Sequence, residues 1–211
     1  MKYGELVQNI RDLGFSDDSE IEEFETDVNV ISNSINRAIT EISLNYAPIY
    51  GHYDINPLLV ATDEVTGDVA DMIEVNMTEA VDGFMKLADI PVKRELAEGV
   101  YKRYGDYEVE ENHTLVFDGG YDGNLRIFYV KAHTPCTELV IQEDSEEYNT
   151  ELPLPLKAHH LVPLLASYYV WLDDDMTKAN AYYEKYQYVL EKAQQEAEKP
   201  KGRVVTGWGE I

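Results

Sequence analysis

Between Leu161 and Leu172 the chain reads LVPLLASYYVWL, twelve residues in which Ser167 is the one clearly polar side chain. This run constrains the fold more than any other. Leu161, Leu164, Leu165, Tyr168 and Leu172 recur at helical spacing. A helix apolar all round must be buried on several sides, by the rest of the chain or by another subunit. It is too short to cross a bilayer, which takes about 20 residues. Pro163 belongs in the first helical turn or kinks the helix. Asp173-Asp174-Asp175 close the run, and Asp175 is placed to cap the helix that follows. The full capping box is absent, because Lys178 stands where Glu would be. That second helix is expected over 176–198, with Ala179, Tyr183, Tyr186, Leu190, Ala193 and Ala197 on one face. So short a corner makes the two helices antiparallel neighbours.

The other segments sort around this hairpin. Leu6, Ile10 and Leu13 form one stripe of a short helix over 2–13, closed by Gly14. Val28, Ile31, Ile35, Ala38, Ile39 and Ile42 form the face of a second helix, capped by Asp27 and ended by Pro48. From 49 to about 140, short apolar runs alternate with Gly, Asp, Asn and Pro, as in strands joined by turns. A hairpin is expected from 113–117 and 125–132 around DGGYDGN. Further strands are expected at 57–62, 72–77, 83–88 and 99–104, with a helical turn at 93–98. The fold class is therefore α+β: a mainly helical bundle with an inserted small antiparallel sheet module. Its divisions are 1–48 (N-terminal helices), 49–141 (β module), 142–155 (acidic loop and extended Leu-Pro entry), 156–199 (helical hairpin) and 200–211 (extended tail).

Charge narrows the function. Forty-one Asp and Glu against 17 Lys and Arg leave a net charge of −24. Such a surface repels DNA and anionic membranes, since nucleic-acid affinity rests on basic groups that displace counterions. The acidic stretches 16–27 and 142–151 read as solvated loops or partner-facing segments. One cysteine, Cys136, excludes an intramolecular disulfide and a thiolate metal cage. No secretory signal is visible at the N-terminus, so the sequons at Asn76 and Asn112 carry little weight.

Candidate chemistry dissolves on inspection of spacing. His159 and His160 are adjacent and diverge by about 100° on a helix, whereas helical chelation wants i and i+3 or i+4. DGGYDG departs from a calcium loop at Gly120 and again at Tyr129. Cys136 with His133 lacks a recognisable orienting group or oxyanion donor. GxSxG, HExxH, GxxxxGK[ST] and GxGxxG are all missing from the sequence. The expectation is no catalytic residue, no cofactor and no metal.

The order of parts carries a resemblance. "YGELVQNI", then "INRAITEIS" ending near Pro48, then a sheet module with "LRIFYVKAHTP", leads to "LPLPLKAHHLVPLLASYYVWLDDDMTKANAYYEKYQYVLEKA". This series resembles the head–tail adaptor proteins of tailed bacteriophages, also called neck ring, connector or head completion proteins. The resemblance implies a structural, non-enzymatic virion protein assembled in the host cytoplasm. It implies a homo-oligomeric ring of about a dozen copies that joins the capsid portal to a further neck or tail protein. Genomic DNA would pass through without specific binding, and no membrane is involved. On that reading Leu161, Leu164, Leu165, Tyr168, Trp171, Tyr183 and Tyr186 meet a neighbouring subunit. The tail residues Arg203, Val204, Val205, Trp208 and Ile211 dock on portal or neighbour, as an extended segment with an aromatic anchor can. Two other readings are an acidic monomeric adaptor for a basic host or viral protein, acting through 16–27 and 142–151, and a metal-dependent hydrolase using His159 or His160 with Asp173–Asp175. Removing Lys201–Ile211 is expected to weaken docking on the portal while leaving the melting temperature unchanged. Unaltered portal affinity in a pull-down would contradict that role for the tail.

Overall fold

Three helices of the same chain sheathe the apolar run. The computed structural model of the protein describes residues 1–14, 28–137, 140 and 142–198; the acidic stretch 16–27, Asp27 and the tail 200–211 lie outside the described residues. Helices α1 (Tyr3–Gly14) and α2 (Val28–Asn45) open the chain. After the β module come the short α5 (Glu146–Asn149), a 3₁₀ turn at Leu156–Ala158, α6 (Val162–Trp171) and α7 (Met176–Glu198). The class is α+β, as read from the sequence. Helix α6 packs on α1, α2 and α7. Leu6, Ile10, Ile31, Ile35, Ile39, Ile42, Leu161 and Leu165 are all fully buried in the shared core. Pro163 lies within the first turn of α6, where its missing N–H costs nothing. Burial by one chain therefore meets the demand of the run, and a second subunit is not needed for it. Leu13 departs from the expected stripe and is 42% exposed.

Before α6, the Leu-Pro entry is extended. Leu152 and Leu154 point into the core while Pro153 and Pro155 face outward. The backbone at 150–152 pairs with the start of the chain: Tyr3 N donates to Thr150 O at 3.0 Å, and Leu152 N to Met1 O at 3.1 Å. Among the described residues, no helix is long and apolar enough to cross a membrane.

The β module holds two antiparallel sheets rather than one. Strands β1 (Tyr50–Ile55), β3 (Phe84–Leu87), β4 (Lys93–Ala97), β5 (Val100–Arg103) and β8 (Leu125–Lys131) form the larger, in the order β1-β8-β4-β5 with β3 also on β8. Strands β2 (Met72–Asn76), β7 (Thr114–Asp118) and β6 (Tyr107–Glu110) form the smaller, in the order β2-β7-β6. The sheets close on a common core in which Ile55, Leu125 and Ile127 meet Ile73, Val75, Leu115 and Phe117.

Three sequence expectations fail here. First, β7 and β8 both exist but belong to different sheets, so DGGYDGN is a crossover and not a hairpin turn. Gly119 makes the crossover possible: its N donates to Asp71 O at 2.9 Å, and a Cβ would lie 1.9 Å from Ala70 O. Second, 57–62 contains helix α3 (Pro57–Ala61) instead of a strand. Asn56 caps it by accepting from Leu59 N, and Pro57 fits its first turn, so local capping overrides the apolar run. A second short helix, α4 (Met77–Ala80), is capped by Asn76 in the same way. Third, 93–98 is largely strand β4, not a helical turn. Gly99, at φ 74°, lets the chain double back into β5 with Ala97 beside Val100. Gly119→Ala is expected to destabilise the fold by about 2 kcal/mol or more, because backbone must move. Urea unfolding checks this, and an unchanged midpoint would contradict it.

Candidate functional site

The residues that looked like ligands serve the scaffold. His159 Nε2 lies 2.8 Å from Leu154 O, and its Nδ1 lies 3.0 Å from the Met1 amine. A carbonyl only accepts, so Nε2 carries the proton and Nδ1 accepts. His159 thus pins the Leu-Pro entry, while His160 is exposed. Asp175 Oδ1 accepts from Thr177 N at 2.9 Å and Lys178 N at 3.1 Å, capping α7 as its position implied. Among the described residues, no three His, Cys, Asp or Glu side chains are grouped to hold a metal ion.

Cys136 and His133 are organised by Asn36, a polar residue of α2. Asn36 Oδ1 accepts from Cys136 N at 2.9 Å and lies 3.1 Å from His133 Nε2, while its Nδ2 donates to Cys136 O at 2.9 Å. The thiol points instead toward Ser32 O, 3.7 Å away. Burial, with Glu147 nearby, pushes the Cys136 thiol up to about 12. Burial also holds His133 below the ordinary histidine range. A protonated buried thiol and a neutral imidazole held by an amide are packing groups, without an activated nucleophile between them.

What the helices leave at the surface is an aromatic face. The Arg37 guanidinium lies over the Tyr169 ring at 4.1 Å. Tyr169 and Tyr168 have ring centroids 5.0 Å apart, as do Tyr168 and Tyr183. Lys178 Nζ lies 3.9 Å from the Trp171 ring centre. The Tyr169 hydroxyl donates to the Glu41 carboxylate. Burial first, then that carboxylate, raise the Tyr169 pKa, so the phenol remains a donor. Farther along α7, Lys192 lies over Tyr188, which is 58% exposed. Tilted aromatic pairs contribute about 0.5–1.5 kcal/mol each and exposed cation–π pairs about 0.5–1. The ladder Arg37–Tyr169–Tyr168–Tyr183 therefore holds rings of α6 and α7 in set positions against a guanidinium of α2. A rigid ring with a polar tip loses little entropy on contact, which suits protein recognition.

The expected contact residues divide. Leu161, Leu165 and Tyr186 are buried in the protomer's own core and are corrected from contact to scaffold. The reason is the enclosure of α6 by α1, α2 and α7, with Tyr186 buried in the same core. Leu164, Tyr168 and Trp171 are half-buried, and Tyr183 is 38% exposed. Arg203, Val204, Val205, Trp208 and Ile211 lie outside the described residues. Sequence reading missed Arg37, Glu41 and Tyr169. The signal available was the i, i+4 pair Arg37 and Glu41, which shares a helix side and can clasp one ring between them. Tyr183 is expected on one face with Ala179 and Tyr186, but those two are buried together with Tyr182 while Tyr183 is exposed.

No protein-family model matches the chain, and no curated protein matches it.

The buried titratable groups set a pH profile. Cys136 and Tyr186 are each raised to about 12 in the folded chain, from ordinary values of 9.0 and 10.0, chiefly by burial. Above those ordinary values the unfolded chain binds fewer protons than the folded one. Stability is therefore expected to fall as pH rises through 9.0 toward 12. His133 acts on the acid side: its contribution is complete above 6.5 and is lost as pH falls below that value. Melting temperatures across pH, with thiol-reagent labelling of Cys136 only on unfolding, check both limbs. A flat alkaline limb with rapid native labelling would contradict the burial argument.

Proposed function

We propose that the protein is a non-enzymatic structural component of a tailed-phage neck, forming a homo-oligomeric ring between the capsid portal and a further neck or tail protein. The observation that carries this reading is the aromatic ladder on α2, α6 and α7, left at the surface after the core has taken Leu161, Leu165 and Tyr186. It lies on the helical hairpin through which the resembling adaptors pack subunit to subunit. Helices flanking an inserted β module, in the order the resemblance implied, give further support. The charge of −24 suits a conduit for DNA, because a wall without dense cations does not hold phosphates.

On this reading Tyr168, Tyr183, Trp171 and Leu164 form the contact with a neighbouring copy, with Arg37 and Lys178 fixing ring orientation. The portal is engaged elsewhere, by the tail that includes Trp208. DNA passes through the ring without being read. The protein acts in the virion neck after assembly in the host cytoplasm.

Native mass spectrometry of the full chain, alone and with portal, tests the reading. A closed oligomer is expected, alone or on portal. Tyr168→Ser with Tyr183→Ser is expected to weaken self-association by roughly tenfold or more, about 1.4 kcal/mol. Strict monomers that never bind portal would overturn the proposal.

A further inference from the structure

The outer face of the larger sheet carries charge of the wrong sign for this chain. In the β4–β5 hairpin, Lys93 stands directly opposite Arg103 on this face, while Arg94 and Lys102 are paired on the other face, in register with the core residue Leu125. Lys93 is also opposite Arg126 of β8, and Arg126 is opposite Asp54 of β1. Directly opposed residues share a sheet face. The row Arg103–Lys93–Arg126–Asp54 therefore runs across four strands on the side away from the core residues Ile55, Leu125 and Ile127. Four cations fall within the eleven residues 93–103, a density found nowhere else in the sequence.

Among the described residues, ion-pair partners cover only the end of the row. Asp54 takes Arg126 in a two-pronged ion pair, with both contacts at 2.7 Å. His52 Nε2 also lies 3.8 Å from Asp54. Glu95, the carboxylate on β4 itself, accepts from Asn124 Nδ2 at 3.0 Å and from Gly99 N at 3.4 Å. Among the described residues, Lys93, Arg94, Lys102 and Arg103 make no ion pair. Arg94 Nε is buried with no hydrogen-bond partner. The aromatic rings on this face are already occupied by cations, with Arg126 over Tyr101 at 4.3 Å and Lys93 over Phe128 at 5.0 Å.

Like charges placed directly opposite destabilise a sheet. This chain, with 41 carboxylates, keeps Lys93 directly opposite both Arg103 and Arg126 on one face. A cover of carboxylates from outside reverses the sign of that interaction. Nucleic acid also offers anions, but a body of −24 repels it at longer range, and capped rings are not free to stack bases. Copies of the chain also repel one another unless opposite patches meet, and among the described residues this row is a cationic patch suited to such a meeting.

We infer that the outer face of the five-stranded sheet, through Lys93 and Arg103, docks on an acidic surface of a second copy of this chain. The inference rests on the ring reading and deepens it. A cationic patch meeting a different, acidic patch is a head-to-tail contact, the kind that closes into a ring when the rotation permits.

Lys93→Glu combined with Arg103→Glu in the full chain separates assembly from folding. A carboxylate at position 93 sits beside Arg126, so the monomer is expected to melt at the same or a higher temperature. Self-association, measured by sedimentation at low salt, is expected to weaken about tenfold or more. High salt is expected to weaken the unmodified protein in the same direction. If the charge-reversed chain loses its folded circular dichroism, Lys93→Gln with Arg103→Gln decides the question by the same association readout. A variant that assembles as tightly as the unmodified chain overturns this inference and leaves the ring reading standing. An unmodified protein that stays monomeric at every salt concentration, alone and on portal, removes both. Binding of a single-stranded oligonucleotide that the variant loses, with self-association unchanged, overturns the inference in favour of a nucleic-acid face.

Discussion

Enclosure of one helix organises this protein. Helix α6 has almost no polar side on which to face water, and α1, α2 and α7 close around it. Each wall is held by its own device. The Leu-Pro entry is pinned by His159 through Leu154 O, α7 is capped by Asp175, and the segment after β8 is tied to α2 by Asn36. With the helix enclosed, the residues still available for contact are those at the rim of the bundle. Tyr168, Tyr169 and Trp171 of α6 stay half-buried, each ring touched at its edge or face by a side chain of α2 or α7. The aromatic face is thus a consequence of how far the enclosure reaches.

The two surfaces that remain differ in chemistry. The helical hairpin offers rings steadied by single cations, suited to contact by packing. The sheet offers a cross-strand row of cations with one carboxylate at its end, suited to contact by charge. In the proposed ring, so acidic a chain would use both kinds. Packing supplies affinity at short range, and charge selects register and opposes the mutual repulsion of copies. Because the surfaces sit on different parts of the fold, they can engage different sides of neighbouring copies.

Legibility in the sequence followed the range of the interactions involved. Helices with a clear stripe were readable to within a residue or a few: α1 spans Tyr3–Gly14 against an expected 2–13, α2 spans Val28–Asn45 and ends before Pro48, and Asp175 caps α7 as expected. The strands at 72–76, 84–87 and 100–103 were readable from local alternation and turn residues. Pairing was not. Thr114–Asp118 and Leu125–Lys131 look like a hairpin because glycines lie between them, yet Gly119 is needed for close approach to Ala70, which is distant in sequence. The split of the contact residues was hidden for a similar reason. Whether a tyrosine on α7 faces in or out depends on small rotations of the helix, so Tyr182 is buried and Tyr183 exposed. The Arg37–Tyr169–Glu41 clasp joins α2 to α6 across the whole β module and leaves no local pattern. The cation row required strand register, which brings Lys93, Arg103 and Arg126 together from three strands.

The central claim is that copies of this chain assemble around a channel through the α6–α7 hairpin. An electron cryomicroscopy map of the full chain on its portal tests it most directly. The account predicts a rotationally symmetric ring with Tyr168 and Tyr183 of each copy packed against its neighbour and an open axis wide enough for duplex DNA. A map showing isolated copies, or a ring in which that hairpin faces only solvent, would contradict it.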